Sequence, residues 1–384
     1  MNTLDQFAQA KLDDLQRRHL RRALAETYRE DGIWVERDGK RLLSFSCNDY
    51  LNLTQHPAVK QAAMDALKRY GTGSGASRLI TGNHPLYAEL EARLARIKQT
   101  EAAVVFGSGY LANSGIIPVL IGRAGLVLLD ELSHACIYAG AQLSRGRVLT
   151  FRHNDVAHAR ELLIAHRSEH DHALIVTDGV FSMDGDLAPL AELLALANGH
   201  DAWLMSDDAH GLGVVGGGRG SSFTGNTHIS IPLQMGTLSK AVGAYGGYLC
   251  ASAPAIELMR NRARTLIYST GLPPAVVAAA IAALDIIERE PGYSALPVQK
   301  ANAFTQAAGL PPAQSPIVPV IVGEEEKALA ASQMLADAGF LVAAIRPPTV
   351  PTGTARLRLT FTAQHPDDQI ARLATLVREN IPAA

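Results

Sequence analysis

Short apolar runs, many of them β-branched, alternate with longer stretches of helical period through the middle of the chain. AAVVF (102–106) leads through glycines into a helical pattern over 110–121. GLVLLD (125–130) precedes a helix-like segment at 133–143, and RVLTF (147–151) precedes a charged helix at 155–166. ALIVT (173–177) precedes a helix at 188–197, and WLMS (203–206) ends in two aspartates. IPLQM (231–235) runs into a turn glycine, and GGYLCAS (246–252) closes the series. This alternation predicts an α/β fold, a mostly parallel sheet with helices on both faces. Ligands in such sheets bind at the carboxyl ends of the strands.

The ends of the chain read differently. Leu4, Phe7, Leu12 and Leu15 recur at helical spacing and predict an amphipathic N-terminal helix. After a helix expected around 274–288, IVPVIV (317–322), a helix at 325–339, strand-like runs at 341–345 and 355–361 and a helix at 367–380 give an α+β pattern. The expected division is an N-terminal helix and arm (1–50), a large domain (51–273), and a connector helix with a smaller C-terminal α+β domain (274–384).

Composition narrows the class. Of 384 residues, 47% are hydrophobic and 19% charged, enough apolar material for a core. A formal net charge of -2 gives no footprint for a nucleic-acid partner. Cys47, Cys136 and Cys250 lie far apart and are odd in number, which favours a reducing, cytoplasmic setting over a disulfide framework. The N-terminus shows no apolar signal core, and Asp5, Asp13 and Asp14 argue against a transit peptide. The apolar stretch 275–287 is too short for a membrane span and is interrupted by Asp285.

The expected strand ends carry the candidate chemistry. GSGYLAN (107–113) could present backbone N–H groups to an anion, although a tight turn before a helix reads as well. His134 sits at a helix start, where a lone histidine is more often a cap. TDGVFSMDGD (177–186) is a dense polar turn. SDDAHG (206–211) sets Asp207 and Asp208 two residues before His210. Two carboxylates beside an imidazole suit a metal, or a ring nitrogen and a ring hydroxyl. The lysine of TLSKAVG (237–243) decides between them. An amine at a strand end, among small residues and flanked by the hydroxyls of Thr237 and Ser239, fits an aldehyde cofactor bearing a phosphate. That cofactor is pyridoxal 5'-phosphate, with no metal.

On these motifs, with FSCNDYL (45–51), GTGSGASR (71–78), LSH (132–134) and AIRPPTVPTGTARLRLT (344–360), the chain resembles the α-oxoamine synthases among the fold type I pyridoxal-phosphate enzymes. The resemblance covers nearly the whole chain. It is strongest to the branch that joins L-alanine to a pimeloyl thioester, carried on CoA or acyl carrier protein. It implies a homodimer. It gives Lys240 the Schiff base with the cofactor, Asp207 the ring nitrogen, His210 the ring oxygen and His134 the ring face. Gly109, Tyr110 and Thr237 would face the phosphate, and Ser182 would support the ring. Arg358 would hold the substrate carboxylate, and Arg21 or Arg22, with Thr349, the acyl substrate. Asn48 and the loop 71–77, with Ser77, would line the site. Position 178 is Asp where Glu is common, and its side chain is expected to face away from the ring. A sister synthase such as glycine C-acetyltransferase would keep every cofactor residue. A nucleotide-binding dehydrogenase would need GxGxxG, which SGYLAN lacks.

Overall fold

The computed structural model describes residues 2–18, 20–225 and 227–381. They form two compact units. The larger comprises Cys47–Pro319 and Thr360–Val377. The smaller gathers the described residues up to Ser46 with Val320–Leu359 and those from Arg378 on.

The larger unit is built on seven strands: β1 (Ala102–Phe106), β2 (Leu126–Asp130), β3 (Arg147–Phe151), β4 (Ala173–Asp178), β5 (Trp203–Asp207), β6 (Leu233–Thr237) and β7 (Gly247–Ala251). Their order is β1-β7-β6-β5-β4-β2-β3. β7 runs against both of its neighbours, and the other pairs are parallel. Both faces are buried, so the strands read as continuous apolar runs. Side chains nonetheless sort by parity. Ala103 and Val105 join a core with Leu90, Leu94, Ala280 and Leu284. Val104 and Phe106 join the opposite core with Ile116, Ile117 and Ile137. Helices Pro85–Lys98 and Pro274–Arg289 thus cover one face, and Gly109–Leu120 and Ala135–Ser144 the other.

In the smaller unit, Tyr28–Asp31, Trp34–Arg37, Lys40–Ser44 and Phe340–Leu341 form one sheet. Ala343–Ile345 pairs antiparallel with Ala355–Thr360. The N-terminal helix Thr3–Arg17 buries no residue, with Leu4 and Phe7 exposed.

This grouping differs from the division read along the sequence. Helix Pro274–Arg289 packs into the core of the larger unit through Ala280, Ala283 and Leu284. Lys40–Ser44 pairs with Phe340–Leu341, matching Phe340 to Leu43 across some three hundred residues. Strand pairing, not chain order, sets the boundary. No described helix is long and apolar enough to cross a membrane.

Candidate functional site

Four neighbouring strands end in polar side chains: Asp130 on β2, Asp178 on β4, Asp207 on β5 and Thr237 on β6. Asp178 and Asp207 are register partners on adjacent parallel strands, so two carboxyls meet at one edge. Burial pushes both above the ordinary carboxylate range, and the charge of Asp207 adds to the rise at Asp178. Donors oppose this at Asp207. Asn113 Nδ2 donates to its Oδ2 at 2.7 Å, and the Ala209 N–H to its Oδ1 at 3.0 Å.

Asp208 is engaged elsewhere. Its Oδ2 meets Lys98 Nζ at 2.7 Å, with both side chains enclosed, and its Oδ1 accepts the Ser221 N–H at 3.0 Å. The adjacent aspartates therefore do not converge on one ion.

Lys240 lies three residues beyond β6, partly buried. Its Nζ is 2.7 Å from His210 Nε2. His210 Nδ1 is 2.6 Å from the Tyr50 hydroxyl, which donates to Asn48 Oδ1 at 3.2 Å. The loop carrying the lysine is tightly folded. Gly243 has φ 68°, and a Cβ there would press on the Leu53–Thr54 backbone. Only glycine takes that conformation without strain.

His134 caps helix Ala135–Ser144 and is itself exposed. Its backbone N–H donates to Asp178 Oδ2 at 2.9 Å. Asp178 thus anchors the residue expected against the ring face, a role that no local motif marks. Burial lowers the His134 pKa. The charge of Asp207 works against this and that of Lys240 with it.

Helix Gly109–Leu120 starts beside β6. Ser108 caps it by accepting the Leu111 N–H at 3.2 Å, and a Cβ on Gly109 would lie 3.4 Å from Thr237 Cβ. Thr237 Oγ1 is 2.7 Å from Ser239 Oγ. Tyr110 is exposed, Ser182 is half-buried in the turn after β4, and Ser77 bridges to Thr270. In the smaller unit, Arg22 Nη2 donates to Thr349 Oγ1 at 3.2 Å. Arg21 is exposed, and Arg358 is buried on strand Ala355–Thr360.

Pyridoxal phosphate fits the residues of the larger unit. A buried carboxylate with two donors suits a protonated ring nitrogen. A lysine amine stands near an imidazole. A capped helix N-terminus beside two hydroxyls suits a dianion. The sequence reading did not single out Tyr50, Asn113 or Cys136. Tyr50 and Asn113 fall inside motifs it quoted, yet only their long-range contacts disclose a part in the site.

A mostly parallel sheet of this order, with a lysine and an aspartate at its carboxyl edge, defines a fold type I pyridoxal-phosphate enzyme. The family model for class I and II aminotransferases matches residues 40–377, and the chain belongs to that family, with pyridoxal 5'-phosphate as its cofactor. Within it, the chain is 68% identical to an 8-amino-7-oxononanoate synthase of Methylocella silvestris, over 90% of this chain and 98% of that one. It is 60% identical to the 8-amino-7-oxononanoate synthase of Beijerinckia indica subsp. indica, over 100% and 99% of the two chains. A solved serine palmitoyltransferase from S. paucimobilis, with a bound PLP–myriocin aldimine, superposes with a TM-score of 0.88 at 32% identity, over 98% of both chains.

Proposed function

We propose that the protein condenses L-alanine with a pimeloyl thioester, on CoA or acyl carrier protein, to 8-amino-7-oxononanoate, CO2 and the free thiol, a step of biotin biosynthesis. The observation that carries this reading is the joint placement of Lys240, His210 and Asp207 at one sheet edge, in a chain 60–68% identical to named synthases of this product.

Pyridoxal phosphate, when bound, supplies an electrophilic aldehyde and a ring that accepts the electron pair left at the substrate Cα. The protein does the rest. Lys240 must shed a proton to act as a nucleophile, and His210 Nε2 at 2.7 Å is placed to receive it. The same amine takes the Cα proton of alanine and returns one at the close. Asp207, held by Asn113 and Ala209, keeps a proton on the ring nitrogen. His134 would lie against the ring face, His210 would face the ring oxygen, and Ser182 would support the ring. The N–H groups at Gly109 and Tyr110, with Thr237, would hold the phosphate. Asn48 and Ser77 line the site. Arg358 holds the amino-acid carboxylate by its planar fork. The bond from Arg22 to Thr349 favours Arg22 over Arg21 for the distal carboxylate of the acyl substrate.

Leu79 and Ile80 are 59% and 76% exposed, and Tyr268 72%. The Ser77–Thr270 bridge ties their two segments together. Exposed apolar groups of this size beside the loop 71–77 support a homodimer. Three cysteines, none of them in a disulfide, support a cytoplasmic setting.

The test is a matrix of alanine, glycine and serine against pimeloyl-CoA, acetyl-CoA and palmitoyl-CoA. The highest kcat/KM is expected for alanine with pimeloyl-CoA. A maximum at glycine with acetyl-CoA, or serine with palmitoyl-CoA, moves the chain to a sister activity. Lys240→Ala should abolish turnover and the visible absorption of lysine-bound cofactor.

A further inference from the structure

Helices Gly109–Leu120 and Ala135–Ser144 lie in close contact because residue 140 is glycine; a Cβ there would strike the Asn113 carbonyl. That approach sets Asn113 opposite Cys136. Asn113 Nδ2 donates to Asp207 Oδ2 at 2.7 Å and to Cys136 Sγ at 3.1 Å, which uses both of its N–H bonds. Cys136 Sγ is in turn 2.8 Å from His134 Nδ1. The Cys136 backbone N–H donates to the same ring nitrogen at 3.2 Å.

The direction of each hydrogen follows. Nδ1 accepts the Cys136 backbone N–H and so holds no hydrogen of its own, which makes the thiol the donor in the contact with Sγ. A ring nitrogen that accepts an S–H and an N–H bond carries no proton. We propose that Cys136 is a positioning residue that holds His134 in the neutral form protonated at Nε2, and that Asn113 orients the thiol from Asp207. Burial, with Asp207 close by, pushes the Cys136 thiol up to about 12, so it stays an S–H donor at working pH.

The purpose is electrostatic. A neutral imidazole stacks on a cationic pyridine ring without repulsion, whereas an imidazolium would oppose it. The ionisable groups facing His134 are Asp207 from β5, Lys240 from beyond β6, Asp178 through the backbone N–H, and Cys136 on its own helix. The charges of Asp207 and Lys240 act on the ring in opposite directions, which leaves the donors at Nδ1 to set the tautomer. This meaning rests on the cofactor reading above. The ring's tautomer and titration do not, so the two can fail separately.

The experiment is NMR of ring-labelled histidines in the cofactor-loaded enzyme, with the His134 signals assigned by their loss in His134→Asn. In the parent protein the 15N shifts should report a proton on Nε2. Cys136→Ala should raise the His134 pKa by about 0.5–1 unit, the worth of one hydrogen bond to the neutral form. Cys136→Ser, which keeps a donor, should restore the parent titration. If Cys136→Ala does not fold, Cys136→Val, close in volume and without a donor, carries the same expectation. A proton on Nδ1 in the parent, or equal titrations in the donor-less and serine variants, overturns the proposal.

Discussion

Lys98 and Asp208 form an ion pair with side-chain exposures of 0% and 1%, Nζ to Oδ2 at 2.7 Å. The pair fixes the first residue after β5 and so steadies Asp207 beside it. Removing one partner leaves a buried charge unpaired, at a cost of about 3–5 kcal/mol. Lys98→Met should therefore lower the unfolding midpoint sharply. Lys98→Met with Asp208→Asn should lose less, because no bare charge remains. Chemical denaturation of the three proteins checks the order.

Asp207→Asn tests the ring-nitrogen contact. Asp208 is held by Lys98 and Ser221 and cannot stand in. Turnover should fall about 10²–10³-fold, the usual loss on removing one preorganised electrostatic contact. Steady-state kinetics at saturating cofactor reads it, and near-parent kcat would remove Asp207 from the role.

His153 gives a pH signature away from the lysine. Its Nδ1 meets Asp130 Oδ1 at 3.0 Å and its Nε2 meets Asp186 Oδ2 at 2.8 Å. Burial alone would lower its pKa, but the two carboxylates overcome this and raise it to about 10. The folded value lies above the unfolded one, so the stabilisation is complete below about pH 6.5 and is lost as pH rises toward 10. The Tm difference between the parent and His153→Gln should be largest near pH 6 and shrink steadily by pH 10. A difference independent of pH would show that shape, not charge, matters there.

Arg22 and Arg21 are separable by kinetics. Arg22→Ala should raise KM for pimeloyl-CoA with little change in KM for alanine, and Arg21→Ala should do neither. A hydrogen bond to a charged carboxylate is worth about 1.5–3 kcal/mol, a rise of roughly ten-fold or more. The reverse ranking would assign the role to Arg21.

The sheet of the larger unit was legible because each strand is a compact apolar run between glycines and helical period. The reversed direction of β7 was not, since direction depends on pairing with β1 and β6. Helix Pro291–Ala308 was not expected; Pro291, Gly292 and Pro297 are residues that usually interrupt a helix. In the structure the first proline stands at the helix start, where no N–H is needed. Lys240, Asp207, His210 and His134 were legible as residue types at strand ends. Tyr50, Asn113 and Cys136 were not. Each acts through a partner 94 or more residues away or through a neighbouring helix, and no local pattern marks such contacts.

The segment carrying Asn48 and Tyr50 is closed by the far end of the same unit. Thr360 Oγ1 donates to the Cys47 carbonyl at 2.9 Å across 313 residues, and the Ala363 N–H donates to the Tyr50 carbonyl at 2.8 Å. A ribosome must carry the chain past residue 363 before Tyr50 acquires this bond. Until then the segment of Asn48 and Tyr50 lacks the contacts that hold it in the finished protein, and such long-range contacts form slowly. Completion of the segment that carries Asn48 and Tyr50 is thus tied to one of the last stretches of the chain to be made.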